Sequence, residues 1–308
     1  MRVAFMGTPQ FAVPSLEALL ASRHEVAVVV TGPDKPAGRS RRMTETPVKR
    51  SAKRRGLPVL QPHDLRDPFF AKALAGFDPQ VNLVVAFRIL PPVIFNTAAL
   101  GSVNLHASLL PQLRGAAPIN WALMRGQTST GVTTFKIERK IDTGNILLQE
   151  PVEILPDDDA GSLAERLSKI GAKLMLKTLD GLEEGRLKPT PQRGEVTDAP
   201  RITRETCRID WRREAEVIHN QVRGLAPVPG AFSRLGDRII KIFRSVPHSD
   251  LPGNVPGEVS HTEENGFFVG TGCGCLEILE LQLEGKRRMK AGDFLRGKQV
   301  HAGTKLGW

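Results

Sequence analysis

Short runs of consecutive apolar residues alternate with amphipathic segments along the first half of the chain. The runs at Arg2–Met6, Val26–Val30 and Val81–Ala86 are almost entirely apolar, which is typical of strands buried on both faces of a parallel sheet. Between the first two runs, Phe11–Ala21 places apolar residues at helical spacing. This order of strand, turn, helix and strand predicts an α/β fold with a Rossmann-like, doubly wound N-terminal domain.

The first turn of this domain, Gly7-Thr8-Pro9, does not carry the glycine pattern of a dinucleotide site. A dinucleotide-binding turn needs G-x-G-x-x-G between a strand and a helix, so that the backbone can approach a pyrophosphate. We therefore expect a relative of the Rossmann fold that does not bind a dinucleotide.

The pattern changes in the last third of the chain. Short β-type segments punctuated by Gly and Pro replace the long apolar runs, which favours a small OB-like β-barrel. A stretch rich in Pro and polar residues separates the two patterns. We predict an α/β catalytic domain at residues 1–187, a linker at 188–205, and an OB-like β-barrel domain at 206–308.

The charge balance adds an anionic partner to this picture. The 308 residues include 43 Lys and Arg against 33 Asp and Glu, a net charge of +10. That excess favours nucleic acid or phosphate, although it also suits a protein that is merely well solvated. The 3 cysteines form neither a disulfide framework nor a zinc spacing. No apolar run is long enough for a membrane span. Together with the cysteine count, this leads us to expect a cytoplasmic protein. We also expect a monomer without a bound metal.

A basic loop is predicted at Thr31–Pro47, where several Pro and Gly residues interrupt the α/β pattern. The loop carries Arg39, Arg41 and Arg42. A charge run is by itself most often a solvated face. A long insertion in a compact unit is usually functional or disordered, and guanidinium groups suit phosphate contacts. We therefore favour nucleic-acid contact for these arginines.

Three polar residues define the candidate site: Asn104, His106 and Asp142. Asn104 and His106 are two positions apart around a predicted strand, Gly101–Leu105, so their side chains share one face. Asp142 lies in a turn that can fold back over that strand. Taken singly, the three residues suit a strand-end cap, a core histidine and a turn residue. Polar groups at the end of a buried strand cost about 1–3 kcal/mol each without partners, and the carboxyl end of a central strand is where ligands bind.

The motifs around these residues resemble the folate-dependent formyltransferases. The chain reads N-x-H-x-S-L-L-P, then R-G-A-A-P-I-N-W, then D-T-G. In that family the corresponding asparagine, histidine and aspartate are catalytic, which implies these roles for Asn104, His106 and Asp142. The family's folate-holding loop corresponds to Ser108, Leu109, Leu110 and Pro111. The segment Ala86–Pro91 corresponds to the family's folate-side loop, which implies cofactor contacts for Phe87 and Ile89.

Further motifs resemble the members of this family that act on methionyl-tRNA. They are G-T-P-x-F near the start, P-D-K-P-A-G-R in the basic loop, and R-I-D-W and R-G-L-x-P-x-P-G-A in the second domain. The resemblance implies transfer of a formyl group from 10-formyltetrahydrofolate to the amino group of methionyl-initiator-tRNA, giving N-formylmethionyl-tRNA for translation initiation. It also implies that the arginine loop enters the acceptor-stem end of the tRNA and that the OB-like barrel holds it.

One loop departs from the family pattern. The folate-side loop usually reads A-Y-G-x-I-L-P, whereas this chain has A-F-R-I-L-P, with no glycine and one residue fewer. It is closer to the corresponding loop of glycinamide ribonucleotide formyltransferase. The backbone contacts to the pterin are therefore expected to differ in detail.

Three other functions remain open at this point. A sister enzyme could formylate the amine of a nucleotide sugar or of glycinamide ribonucleotide, but it would have no use for a basic barrel. A hydrolase that deformylates the folate would not need the arginine loop. A non-catalytic RNA-binding module would need the positive charge but not the group formed by Asn104, His106 and Asp142.

Overall fold

A computed structural model describes residues 1–37, 42–251, 255–297 and 300–307. The chain divides into two compact units, and each contains more than one chain segment. The first unit consists of Met1–Gly115, Thr130–Glu153 and Ala164–Ala199. The second unit consists of Ala116–Ser129, Ile154–Leu163 and Pro200–Trp308.

Most strands of the first unit belong to one seven-stranded sheet with the order β10-β9-β7-β6-β1-β2-β5. In chain order the strands are β1 (Arg2–Gly7), β2 (Glu25–Val30), β3 (Lys35–Ala37), β4 (Arg42–Thr44), β5 (Val59–Leu60), β6 (Val81–Val85), β7 (Ser102–His106), β8 (Arg114–Gly115), β9 (Ser129–Lys136), β10 (Ile146–Glu153) and β11 (Asp198–Ala199).

The centre of this sheet is parallel, and its strands are the buried apolar runs of the sequence. Strand β1 pairs in parallel with β2 on one side and with β6 on the other. Strand β6 pairs in parallel with β7, whereas β7 and β9 are antiparallel. The chain thus winds outward from β1 in both directions, which creates a switch in strand order between β1 and β6. This mixed sheet confirms the Rossmann-like part of the predicted fold class.

The described part of the chain contains eight α-helices, and the first lies within the segment Phe11–Ala21 that apolar spacing predicts. They are α1 (Val13–Leu20), α2 (Pro47–Arg54), α3 (Pro68–Ala75), α4 (Pro92–Phe95), α5 (Pro118–Met124), α6 (Ala160–Glu183), α7 (Ala215–Leu225) and α8 (Ala291–Leu295). Pro stands at the first or second position of α1 to α5, where its missing N–H costs nothing.

From the sequence, Ser162 is a plausible N-cap for a helix over Leu163–Leu182, but α6 starts earlier. The helix begins at Ala160, because Asp159 provides the cap one turn earlier. The Oδ1 atom of Asp159 accepts a hydrogen bond from the Ser162 amide at 2.8 Å, and the Ser162 hydroxyl accepts one from the Asp159 amide at 3.0 Å. This reciprocal pair is a capping box with Ser162 inside the helix.

The segment Thr31–Pro47 was predicted to be an irregular loop, but its two ends form paired strands. Strands β3 and β4 pair antiparallel, with Lys35 opposite Thr44. The base of this hairpin is fixed to α2, because the Lys49 ammonium lies 2.6 Å from Oδ2 of Asp34. That contact is the main reason why the pKa of Asp34 lies below its usual value. The sequence did not predict these strands because the Pro and Gly residues of the segment are typical of turns.

The second unit is a separate sheet domain. Its strands are β12 (Ala231–Leu235), β13 (Arg238–His248), β14 (Val259–Thr262), β15 (Phe267–Gly270), β16 (Cys275–Leu283) and β17 (Met289–Lys290). They follow the order β12-β13-β16-β15-β14, with β17 paired to β16. Their inward side chains pack with α7 and with Trp211, whose indole N–H donates to the buried Ser233 hydroxyl at 3.0 Å. The strands predicted from Gly and Pro punctuation are all present.

The helices in the described part of the chain were also compared with the requirements of a lipid bilayer. None of them is both long and apolar enough to cross a membrane.

Candidate active site

Asn104 and His106 are the third and fifth residues of β7, which ends one residue later than the predicted strand Gly101–Leu105. Strand alternation places both side chains on one face of the sheet. His106 is 6% exposed, whereas Asn104 is only partly buried. Within the described residues the Asn104 side chain has no hydrogen-bond partner. An amide that is partly buried and unpaired is available to a ligand.

One nitrogen of the His106 ring is held by backbone, and the other faces a carboxylate. Its Nε2 atom lies 2.8 Å from the Leu113 carbonyl oxygen. A carbonyl oxygen can only accept, so Nε2 carries the hydrogen of this bond. The other nitrogen, Nδ1, lies 3.8 Å from Oδ2 of Asp142. That separation allows charge attraction but is too long for a direct hydrogen bond.

The Asp142 carboxylate is also fixed by a backbone amide. Its side chain is 12% exposed, and Oδ2 accepts a hydrogen bond from the Gly115 amide at 2.9 Å. Gly115 has φ +123°, and a Cβ atom there would lie 2.7 Å from the Ala199 carbonyl oxygen. Only glycine therefore fits where β8 pairs with β11, and this pairing aims the Gly115 amide at Asp142.

The residues that hold this arrangement in place were not found from the sequence. Gln192 donates from Nε2 to the carbonyl oxygens of Asp142 and Gly144, both at 2.8 Å. Thr197 accepts the Leu113 amide at its Oγ1 atom at 2.9 Å. Both residues belong to the predicted linker, whose polar and Pro-rich composition gave no sign of packing. The parallel pairing of β11 with β8 shows that this stretch lies against the site.

The loop Ser108–Pro111 follows β7 directly and is organised from within. The Ser108 hydroxyl is buried and donates to the Gln112 carbonyl oxygen at 2.6 Å. Thr133, on the neighbouring β9, donates to the Ser108 carbonyl oxygen at 2.6 Å and accepts the Leu110 amide at 3.2 Å. Thr133 is thus a further residue that the sequence did not single out. Cofactor binding by Ser108, Leu109, Leu110 and Pro111 stays a prediction.

The loop after β6 presents an apolar side chain at the same edge of the sheet. Ile89 is 72% exposed. Arg88 anchors the loop by donating to the carbonyl oxygens of Pro62 and His63 at 2.7 and 3.0 Å, and its guanidinium lies 5.3 Å from the Phe87 ring centroid. Phe87 packs on the core of the unit. A fixed backbone with an exposed Ile89 fits a ligand that has an apolar ring system, whereas the roles of Phe87 and Ile89 stay predictions.

Backbone strain is concentrated around this edge. Four described residues other than glycine have positive φ, and three of them belong to the site loops: Ala86 (47°), Leu113 (58°) and Asp142 (53°). Such conformations cost about 1–2 kcal/mol for a residue with a Cβ atom. They persist because the surrounding contacts over-determine the loops. Strain of this kind is frequent at functional sites.

The predicted tRNA-binding arginines are only partly covered. Arg39 and Arg41 lie outside the described residues. Arg42 belongs to β4 by its backbone, opposite Ala37. Binding of tRNA by these three residues stays a prediction.

One group of potential metal ligands occurs among the described residues, away from the site: His24, Asp180 and Glu183. The Arg23 guanidinium lies 2.9 Å from a carboxylate oxygen of Asp180 and 2.9 Å from one of Glu183. Burial lowers the pKa of His24. Because an arginine already neutralises both carboxylates, the group is better described as an ion-pair network.

Comparison with known proteins places this geometry in a family. Residues 1–179 match the family model "Formyl transferase", and residues 201–299 match "Formyl transferase, C-terminal domain". The chain is 48% identical to the methionyl-tRNA formyltransferase of Chlorobium phaeovibrioides, with 100% of this chain and 98% of that protein covered. The chain belongs to the methionyl-tRNA formyltransferase family. A second member, from Pelotomaculum thermopropionicum, is 45% identical, with coverage of 100% and 99%.

A solved structure shares the fold of this family member at much lower identity. HypX from Aquifex aeolicus, in complex with tetrahydrofolic acid, superposes with a TM-score of 0.67 at 20% identity. The match covers 96% of this chain and 47% of HypX, so the chain spans about half the length of that protein. This likeness concerns the fold alone.

Proposed function

We propose that this protein transfers the formyl group of 10-formyltetrahydrofolate to the free amino group of methionyl-initiator-tRNA, giving N-formylmethionyl-tRNA. The observation that carries the proposal is the site at the carboxyl end of β7. There the His106 ring faces the Asp142 carboxylate at 3.8 Å, beside the unpaired amide of Asn104. The names of the relatives support the transfer of a formyl group and the methionyl-tRNA acceptor.

The bound folate supplies the one-carbon unit: a C–N bond forms to the amine of the methionyl group, the bond to N10 breaks, and one proton passes from the amine to N10. The protein needs no nucleophile of its own. An α-amino group titrates at roughly 7.7–8.0, so the neutral amine is available near neutral pH.

Asn104 is proposed to stabilise the negative charge that develops on the formyl oxygen. Its amide N–H groups have no partner among the described residues, so they can point at that oxygen without breaking an existing bond. One preorganised donor of this kind is worth about 2.7–4 kcal/mol in the transition state.

His106 and Asp142 are proposed to handle the proton. Because Nε2 of His106 donates to Leu113, the ring can exchange a proton with substrate only through Nδ1, the atom that faces Asp142. The Asp142 carboxylate can accept a proton directly or through water. General acid–base groups of this type contribute roughly 10²–10⁴-fold to rates.

The folate is proposed to bind between the loops that follow β6 and β7. The exposed Ile89 offers an apolar surface, and the Ser108–Pro111 loop offers a backbone that Thr133 holds in place. The anchored arginine Arg88 supports the first loop in place of the family's glycine.

The tRNA is proposed to contact Arg39, Arg41 and Arg42 of the basic loop, and also the second unit. For that unit we propose an OB-like barrel, in which the C-terminal segment closes the gap between the outer strands. In support, the Leu306 amide donates to the Gly257 carbonyl oxygen at 2.7 Å, and the Gly307 amide donates to the Arg234 carbonyl oxygen at 3.1 Å. Single Arg→Ala variants should lower the salt dependence of tRNA binding; an unchanged slope would argue against phosphate contact.

The predicted boundaries, 1–187, 188–205 and 206–308, are kept as our proposal for the domains along the chain. Location in the cytoplasm and a monomeric state are proposed as well. The three cysteines, Cys207, Cys273 and Cys275, are all free thiols, which suits a reducing compartment.

Acid-gel mobility of methionyl-initiator-tRNA tests the function. After incubation with the protein and 10-formyltetrahydrofolate, the tRNA should migrate as the N-formylated form. Release of formate with unmodified tRNA would indicate a folate hydrolase instead. Binding of tRNA without any formyl transfer would indicate an RNA-binding module and would overturn the proposal.

A further inference from the structure

The Gln192 side chain connects two loops of the candidate site through four hydrogen bonds. Its Nε2 atom donates to the carbonyl oxygens of Asp142 and Gly144, both at 2.8 Å. Its Oε1 atom accepts from the Arg114 guanidinium, at 3.2 Å from Nε and 2.6 Å from Nη2. The side chain is therefore fixed at both ends, and its two amide hydrogens have one partner each.

The turn that Gln192 holds needs an external support. Asp142 has φ +53°, a left-handed conformation that aspartate adopts at some cost and that contacts from outside the turn can stabilise. Gly144 is buried, and a Cβ atom there would overlap the Lys136 carbonyl oxygen. The backbone of the turn is thus confined on the β9 side, and the amide of Gln192 binds the carbonyl oxygens at both of its ends.

The turn carries the carboxylate that faces His106. A small rotation of the Asp142 backbone would change the 3.8 Å separation between Oδ2 and Nδ1 and would break the bond from the Gly115 amide. Misplacement by about 1 Å can cost roughly 100-fold in rate. A residue that fixes this backbone therefore controls the proton-handling pair without touching substrate.

We propose that Gln192 is a positioning residue for Asp142 and that residues 192–199 act as a strap that fastens the site loops. Thr197 accepts the Leu113 amide, and Ala199 pairs with Gly115. The strap thereby supports the partner of His106 Nε2 as well as the amide that binds Asp142. This inference rests on the proposed formyl transfer, which supplies its assay.

Two substitutions separate the possible roles of Gln192. Gln192→Met keeps the length of the side chain and removes every hydrogen bond. Gln192→Glu keeps an acceptor for Arg114 but presents oxygen, in place of the donor, to the two carbonyl groups. The matched control is Gln282→Met in the second unit, where another glutamine amide donates to a backbone carbonyl, that of Lys286, at 2.8 Å.

The single-turnover rate of formyl transfer should fall about 10- to 100-fold in both Gln192 variants. The Kd for tRNA and the KM for 10-formyltetrahydrofolate should stay unchanged, and Gln282→Met should keep the wild-type rate. In an Asp142→Asn background, Gln192→Met should add less than about a twofold further loss, because both changes act through one carboxylate.

The outcomes distinguish this inference from the function itself. A wild-type rate in Gln192→Glu would mean that only the Arg114 contact matters, and independent, multiplicative losses in the double variant would mean that Gln192 does not act through Asp142. Loss of rate that merely follows a drop in melting temperature would also overturn the inference. If the wild-type protein makes no formylmethionyl-tRNA, the proposed function fails first, before any variant is compared.

Discussion

The Nε2 atom of His106 donates a hydrogen bond to the Leu113 carbonyl oxygen at 2.8 Å. This one contact determines how the ring can act, because it leaves Nδ1 as the nitrogen that faces Asp142. Leu113 itself has a positive φ of 58° and is tied by its amide to Thr197. The orientation of the catalytic candidate therefore depends on a strained loop residue and on the strap behind it.

Removal of the charge on Asp142 should slow the reaction without weakening substrate binding. Asp142→Asn keeps an oxygen for the Gly115 amide, so the turn should stay in place. We expect kcat to fall by roughly 10²–10⁴-fold, the range of general acid–base catalysis. Steady-state kinetics with methionyl-tRNA, together with the Kd for tRNA, would measure this.

Asp78 provides the control for that substitution. It is an exposed aspartate of the same unit with positive φ (47°), a conformation that asparagine also tolerates. Asp78→Asn should keep the wild-type kcat. Equal kcat values for the two variants would remove Asp142 from the catalytic set.

A methyl group at Gly115 should damage the site through the backbone. In Gly115→Ala the new Cβ atom would lie 2.7 Å from the Ala199 carbonyl oxygen, so β8 must move and the amide that binds Asp142 moves with it. We expect at least about a tenfold loss of kcat and about 1–3 kcal/mol of lost stability.

Gly56→Ala is the matched control for this change. Gly56 also has positive φ (+68°), but a Cβ atom there meets nothing within 4 Å. This variant should lose about 1 kcal/mol of stability and keep its kcat. If both variants lose only stability, the Gly115 amide does not position Asp142.

Relief of the backbone strain at Ala86 should raise the stability of the protein. Ala86 has φ 47° at the end of β6, a conformation that costs about 1–2 kcal/mol for a residue with a Cβ atom. Ala86→Gly should raise the free energy of unfolding by about 0.5–1 kcal/mol in denaturant titrations. The same substitution at the exposed helical residue Ala73 should lower it by about 0.5–1 kcal/mol. A loss at both positions would mean that the Ala86 conformation carries no strain.

His219 in the second unit should make stability depend on pH. Burial, and then the charge of Arg223, lower its pKa, while Glu216 acts in the opposite direction. A lowered pKa in the folded state means that the full contribution is present above the unfolded value of about 6.5 and is lost as the pH falls below it. The stability difference between the wild type and His219→Gln should therefore shrink from about pH 7.5 to about pH 5.5. A difference that stays constant over this range would show that His219 titrates alike in both states.

The parts of the fold that follow from local pattern could be predicted from the sequence. Strands β1, β2 and β6 are continuous apolar runs, and their ends agree with the prediction to within one residue. Asn104 and His106 could be assigned to one face because strand alternation fixes it. The start of α6 was misplaced because Asp159 and Ser162 both suit a cap, and only the backbone decides between them.

The supports of the site could not be predicted because they depend on tertiary contacts. Gln192 and Thr197 lie in a polar segment with no periodic pattern, so nothing in the sequence separates them from a solvated linker. Thr133 is a residue type common in strands, and nothing in the sequence shows that its hydroxyl organises the loop after β7. A hydrogen bond from a side chain to a distant backbone group leaves no local signature in the sequence.

The most direct measurement is the single-turnover rate of formyl transfer to methionyl-tRNA, with both substrates saturating, in Asn104→Ala and His106→Ala. We expect each variant to lose at least about 100-fold in rate while its Kd for tRNA stays at the wild-type value. Rates within about threefold of the wild type in either variant would contradict a chemical role for that side chain.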